Sequence, residues 1–170
     1  MNAFRAISII PAKSMRMNVN AIVVRQETDE DFRQINEVVR SAFLDVAETD
    51  GGRIIGHILL SKAEVVSEER SCIVLALAPL SVLPEFQGKG IGSMLVREAH
   101  RRAAELGYGA AVLLGHWDYY PRFGYRRASL YGIKFPFDAP DECCMAVELT
   151  DGGLDGIHGT VRYPEAFHIG

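Results

Sequence analysis

A mixed α/β domain (α+β), with a mostly antiparallel sheet, is predicted by three features of this chain. Short β-branched runs recur between turn residues, and two stretches switch to helical spacing. One long apolar run leads straight into a glycine-rich turn that opens a helix.

The elements follow in order. "NAIVVRQ", Asn20 to Gln26, is β-branched and predicts a strand. Thr28 with Asp31 three residues later is a capping-box pattern, and Phe32, Ile35, Val38, Val39 and Phe43 repeat at helical spacing. "LDVAETDGGRIIGHILLS" predicts a hairpin turning at Asp50-Gly51-Gly52, residues that accept the positive φ of a tight turn. "SCIVLALAPLSVLP" predicts a central strand buried on both faces, bulged or broken at Pro79 because proline cannot donate to the ladder.

From Gly90 to Leu106 the pattern is helical. Ile91, Leu95, Ala99, Ala103 and Leu106 share one face, Arg97, Arg101 and Glu105 another, and Gly107 is placed as the C-cap. "GAAVLLG" predicts a short buried strand, "WDYYPRFG" a short helix or turn, and "CCMAVEL" a last strand. Tyr163 and Phe167 offer anchors for the tail. Residues 19–170 form one domain, and residues 1–18 are expected to be a loosely ordered extension: they carry Arg5, Lys13 and Arg16, but no secretory core or cleavage site follows.

Composition narrows the function classes. With 48% hydrophobic and 24% charged residues the chain can build a core without staples. A net charge of −4 gives no reason to expect nucleic acid or an anionic membrane surface as partner. Cys72, Cys143 and Cys144 cannot pair completely, and no Cys/His cluster has zinc spacing, so a reducing cytoplasm is expected and no metal.

The chemistry is carried by Gln87-Gly88-Lys89-Gly90-Ile91-Gly92, directly after the buried strand. Its glycines let the backbone turn N–H groups toward one point, and the following helix adds its positive end, a cradle suited to a diphosphate. A plain strand-to-helix turn is the alternative. A Walker loop would need Ser or Thr after Lys89, where Gly90 stands, and the dinucleotide fingerprint has Ser93 at its third glycine position and lacks its acid.

The spacing Gln-x-x-Gly-x-Gly after a buried strand resembles the coenzyme A loop of the GNAT N-acetyltransferase superfamily. "GRIIGHILLS", "LAPLSVLPEFQGKGIGSMLV", "VLLGHWDYYPRFGY" and "GTVRYPEAF" further resemble blocks of its YhbS-like group, over most of the chain from Val19 onward. The resemblance implies a GNAT fold, a twisted sheet with helices on both faces, whose fourth and fifth strands splay to admit acetyl-CoA. It implies a pyrophosphate held by backbone N–H groups of Gln87, Gly88, Gly90 and Gly92, within the loop that includes Lys89 and Ile91, with Ser93 nearby. The pantetheine arm would lie along Leu80, Ser81 and Val82, with an oxyanion donor near Val82. Tyr120 matches the tyrosine that protonates departing coenzyme A, and Tyr119 competes for the role. His57, His116 and Asp118 are candidate bases by chemistry alone, and Arg97 and Arg101 are candidates for the 3′-phosphate.

Two departures bear on the acceptor. Relatives place a second helix before the second strand, but Phe43 is followed almost at once by "LDVAETDGG". Trp117 stands where many relatives carry proline. The function implied is acetyl transfer from acetyl-CoA to a primary amine of a small molecule or protein. A homodimer would complete a shortened acceptor wall. The alternative is a non-catalytic acyl-CoA-binding sensor that kept the cradle and lost the acceptor pocket.

Overall fold

A computed structural model describes residues 23–26 and 42–163, with side chains from residue 45 onward. The predicted first helix, as far as residue 41, lies outside the described residues, as do the N-terminal extension, the segment where a second helix is not expected, and Phe167. Phe43, expected to end that helix, instead lies in a strand.

Among the described residues one sheet holds β1 (Val23–Gln26), β2 (Ala42–Glu48), β3 (Ile54–Val66), β4 (Ser71–Val82), β5 (Ala110–Leu114), β6 (Arg126–Arg127), β7 (Ile133–Lys134), β8 (Cys144–Glu148) and β9 (Gly159–Arg162). The order is β1-β2-β3-β4-β5-β8-β6, with β9 pairing β3 and β7. Only β4–β5 and β7–β9 are parallel. The segment "CCMAVEL" is therefore not the last strand. Cys143 falls in a 3-10 turn and Cys144 opens β8, while β9 follows and pairs Val161 with Val65.

The β2–β3 hairpin turns where the glycines predict, with the Gly52 N–H donating to the Thr49 carbonyl at 3.0 Å. Between β3 and β4 the register is regular from Val66↔Ser71 to Leu60↔Leu77, then shifts so that Ile58 faces Leu80. Ala78 and Pro79 together oppose the single residue Leu59, which is the β-bulge expected at the proline.

β4 is buried on both faces only from Val74 to Leu77, whereas Ala78 and Pro79 are exposed. Within that stretch the residues alternate between two cores. Leu75 and Leu77, with Ala111 and Leu113 of β5, pack beneath α1 (Ile91–Glu105). Val74 and Ala76, with Ala110 and Val112, pack against Ala128, Ile133, Leu154 and Val161 on the other face.

α1 buries Ile91, Leu95, Ala99 and Ala103 as its periodicity predicts. Leu106, expected on that face, is 56% exposed. The reason is the cap: Gly107 takes φ 86°, and the chain turns away before Leu106 can reach the sheet. On its flank α1 ties to β2 through the Arg102–Asp45 ion pair. Burial raises the Asp45 carboxyl while the Arg102 guanidinium opposes the rise.

His100, also on α1, meets the fully buried Tyr125 hydroxyl at 3.0 Å. Burial holds its imidazole down at about 4 from the ordinary 6.5. Between those values the unfolded chain binds a proton that the folded chain refuses, so stability rises with pH through the window and is complete above it. The span amounts to about 3 kcal/mol at most. Urea unfolding at about pH 5 and about pH 7.5 should show this loss in the native protein and a flatter dependence in His100→Gln. An unchanged slope in the variant would assign it to another group.

Candidate active site

The parallel ladder between β4 and β5 is short, holding Leu75↔Ala111 and Ala76↔Val112 and nothing beyond. Past that point Leu77–Val82 follows β3 through the bulge, while β5 continues to Leu114 paired with β8. The two central strands part, leaving a cleft whose β4 wall carries the half-buried Leu80 and Val82 and the exposed Ser81.

Directly after β4 a 3-10 turn, Pro84–Phe86, swings the chain toward α1. Phe86, 5% exposed, plugs into the core below the loop. Above its ring lie the Lys89 ammonium, 5.1 Å from the centroid, and the Arg53 guanidinium at 5.4 Å. Arg53 also pairs with Glu85 at 2.7 Å, and Lys89 donates to the Glu85 carbonyl at 2.9 Å. Two cations against one aromatic ring brace the turn.

Gly88 and Gly90 take φ 73° and 83°, a left-handed conformation costly for any residue with a Cβ. A Cβ at either would meet nothing within 4 Å, so the space in front of them is open. Gly90 is the N-cap of α1, and its carbonyl accepts from the Met94 N–H at 3.0 Å. The N–H groups of Gly88, Lys89, Gly90, Ile91, Gly92 and Ser93 make no hydrogen bond among the described residues, and they gather at the positive end of a fifteen-residue helix.

Gln87 departs from the expected pattern. Its N–H is already used by the Pro84 carbonyl at 3.2 Å, and its side-chain amide donates to the Val82 carbonyl at 2.9 Å. Gln87 therefore ties the loop to the end of β4 and offers no backbone donor to the cleft.

The second wall comes from the segment after β5. Tyr119, Tyr120, Phe123 and Tyr125 form one edge-to-face cluster, with Tyr120 centred 5.1 Å from Tyr119 and 5.6 Å from Tyr125. Tyr120 is 9% exposed, and its ring lies so close over Gly115 that no Cβ would fit there. Burial, with Tyr119 adding to it, pushes its hydroxyl up to about 12. Tyr119 is only half-buried and its hydroxyl reaches Gly92, where an added Cβ would lie 2.8 Å from Oη. Gly92 thus has a different reason from Gly88 and Gly90: it makes room for a neighbour instead of supplying a turn.

His57 is half-buried on β3 opposite Ser81, and burial lowers its imidazole below the ordinary value. His116 and Asp118 are exposed just before Tyr119, and Trp117 between them is 62% exposed. Arg101 is bound to Glu98 and Glu105, which removes it from the expected anion site. Arg97 instead lies over Phe123 at 5.7 Å, and Arg122, which the sequence did not single out, lies over Tyr119 at 4.7 Å. No spacing rule exposes that contact, since Arg122 reaches the ring only through the 3-10 turn Tyr120–Phe123.

Among the described residues there is no cluster of His, Cys, Asp or Glu that could hold a metal, and no helix long and apolar enough to cross a membrane. The family model for the acetyltransferase (GNAT) domain matches residues 40–127. The curated relative YhbS of Escherichia coli, an uncharacterized N-acetyltransferase, is 29% identical over 154 residues, 88% of this chain and 91% of that one. The crystal structure of YhbS from Escherichia coli in complex with CoA superposes with TM-score 0.78 at 25% identity, over 92% of this chain and 98% of that one. A GNAT family acetyltransferase from Brucella melitensis in complex with acetyl-CoA gives TM-score 0.64 at 27% identity, over 86% and 97% of the two chains. With the splayed strands and the glycine cradle in place, the chain belongs to the GNAT acetyltransferase family.

Proposed function

We propose that this protein transfers the acetyl group of acetyl-CoA to a primary amine of a small molecule or protein. The observation that carries the reading is the set of N–H groups from Gly88 to Ser93 that make no hydrogen bond among the described residues, with open space at Gly88 and Gly90, where β4 and β5 part. Such a set at a helix N-terminus suits an anionic diphosphate. The relatives bound to CoA and acetyl-CoA support the same ligand here.

In this reading Gly88, Lys89, Gly90, Ile91, Gly92 and Ser93 hold the diphosphate, and Gln87 braces the loop. Leu80, Ser81 and Val82 line the path of the pantetheine arm. A neutral amine attacks the thioester carbonyl, and a backbone N–H near Val82 stabilises the oxyanion. Tyr120 gives its proton to the departing thiolate as the carbon–sulfur bond breaks, and the proton lost by the acetylated nitrogen returns to the tyrosinate through solvent. The three free cysteines accord with a reducing cytoplasm.

Calorimetric titration of acetyl-CoA into the full-length protein tests the coenzyme. Binding is expected for the native chain and its loss for Gly90→Glu, which sets a carboxylate in the cradle; no binding by the folded native chain overturns the reading. The acid is tested separately. Tyr120→Phe should lower turnover by roughly 10²–10⁴-fold with acetyl-CoA affinity little changed. Unchanged turnover removes Tyr120 from the mechanism.

A further inference from the structure

Tyr119 belongs to the cleft by position, yet the proton transfer assigned to Tyr120 leaves it without a task. Its hydroxyl stands over the second residue of α1. A Cβ built on Gly92 would lie 2.8 Å from Tyr119 Oη, 3.8 Å from Val82 Cγ2 and 3.9 Å from Leu80 Cδ2. The hydroxyl therefore sits where the first turn of α1 meets the end of β4, beside the unpaired N–H groups of the loop.

The ring beneath that hydroxyl is held on several sides. Tyr120 meets it edge-on at 5.1 Å and 89°, Phe123 at 5.3 Å, and the Arg122 guanidinium covers it at 4.7 Å. Its own N–H is bonded to the His116 carbonyl at 3.1 Å. Oη itself makes no hydrogen bond among the described residues. A rigidly placed ring thus presents a donor with no partner among the described residues, and ordering it costs a ligand little.

We propose that Tyr119 is a coenzyme-binding residue, donating its O–H to the diphosphate held by the glycine loop. The chemistry of the surroundings selects that group. The backbone groups of the loop beside it that make no hydrogen bond among the described residues are N–H donors at the positive end of a helix, so the ligand that fits them brings acceptors and negative charge. A diphosphate supplies both. The inference rests on the coenzyme reading above.

The test compares the native protein with Tyr119→Phe, which keeps the ring and its packing. Two probes are titrated by calorimetry, the weaker by displacement of the stronger: coenzyme A, and adenosine 3′-phosphate 5′-diphosphate, which carries a diphosphate and no pantetheine. Tyr119→Phe should weaken both by a similar factor, about tenfold, the usual loss for one hydrogen bond to a charged acceptor. A loss seen with coenzyme A alone would place the hydroxyl on the pantetheine arm and overturn the proposal. Equal or tighter binding by the variant would also overturn it, the latter showing Tyr119 to be an obstacle in the cleft. If the native protein binds neither probe, the coenzyme reading itself fails. If it binds both and the variant matches it, only the role of Tyr119 fails.

Discussion

The site depends on one disagreement between neighbouring strands. β4 must pair with β3 along its whole length and with β5 along only two residues. The bulge at Ala78 and Pro79 reconciles these demands, because two residues opposite Leu59 bend the strand and increase its twist. A proline suits that place, since it has no N–H to leave unsatisfied when the ladder is lost. Without the bend, β4 would continue beside β5 and the sheet would close over the space in front of the glycine loop. The cleft is thus a property of strand pairing, and the chemistry is mounted on it afterwards.

Two packing units then fix the walls. On one side Phe86 is buried below the loop with Arg53 and Lys89 above it, so that glycines free to take many conformations are held in one. On the other side Tyr119, Tyr120, Phe123 and Tyr125 interlock, and His100 anchors Tyr125 to α1. The helix that offers its N-terminus to the cleft therefore also holds the aromatic wall. Cradle and wall share one rigid element, which is the condition for placing groups from distant parts of the chain to within a fraction of an ångström.

Much of this was legible in the sequence. The hairpin at Gly51-Gly52, the bulge at Pro79, the buried face of α1 and the cap at Gly107 follow from local chemistry, and local chemistry is what a single sequence displays. The misplacements share a cause. Leu106 fits the helical period, but the cap turns the chain one residue too early for it to be buried. Gln87 fits the loop pattern, but its N–H is consumed by Pro84. Arg101 and Arg122 exchange importance because ion pairs and cation–π contacts are tertiary. Which of two adjacent tyrosines faces the cleft cannot follow from spacing either, since a 3-10 turn points successive side chains about 120° apart.

Burial of Tyr120 sets a quantitative condition on the reaction. A hydroxyl pushed up to about 12 gives its proton to an ordinary thiolate only at a cost of about 5 kcal/mol, against about 2 kcal/mol for an unperturbed tyrosine. Yet the quantity that matters is the difference between two anions in the same place. The environment that penalises a tyrosinate penalises a thiolate held against it, and raises the basicity of the sulfur in the same direction. A filled cleft excludes water from both groups, so the gap narrows at the moment the proton must move. A buried tyrosine is therefore compatible with the proposed acid catalysis so long as the thiolate is formed inside the same desolvated wall.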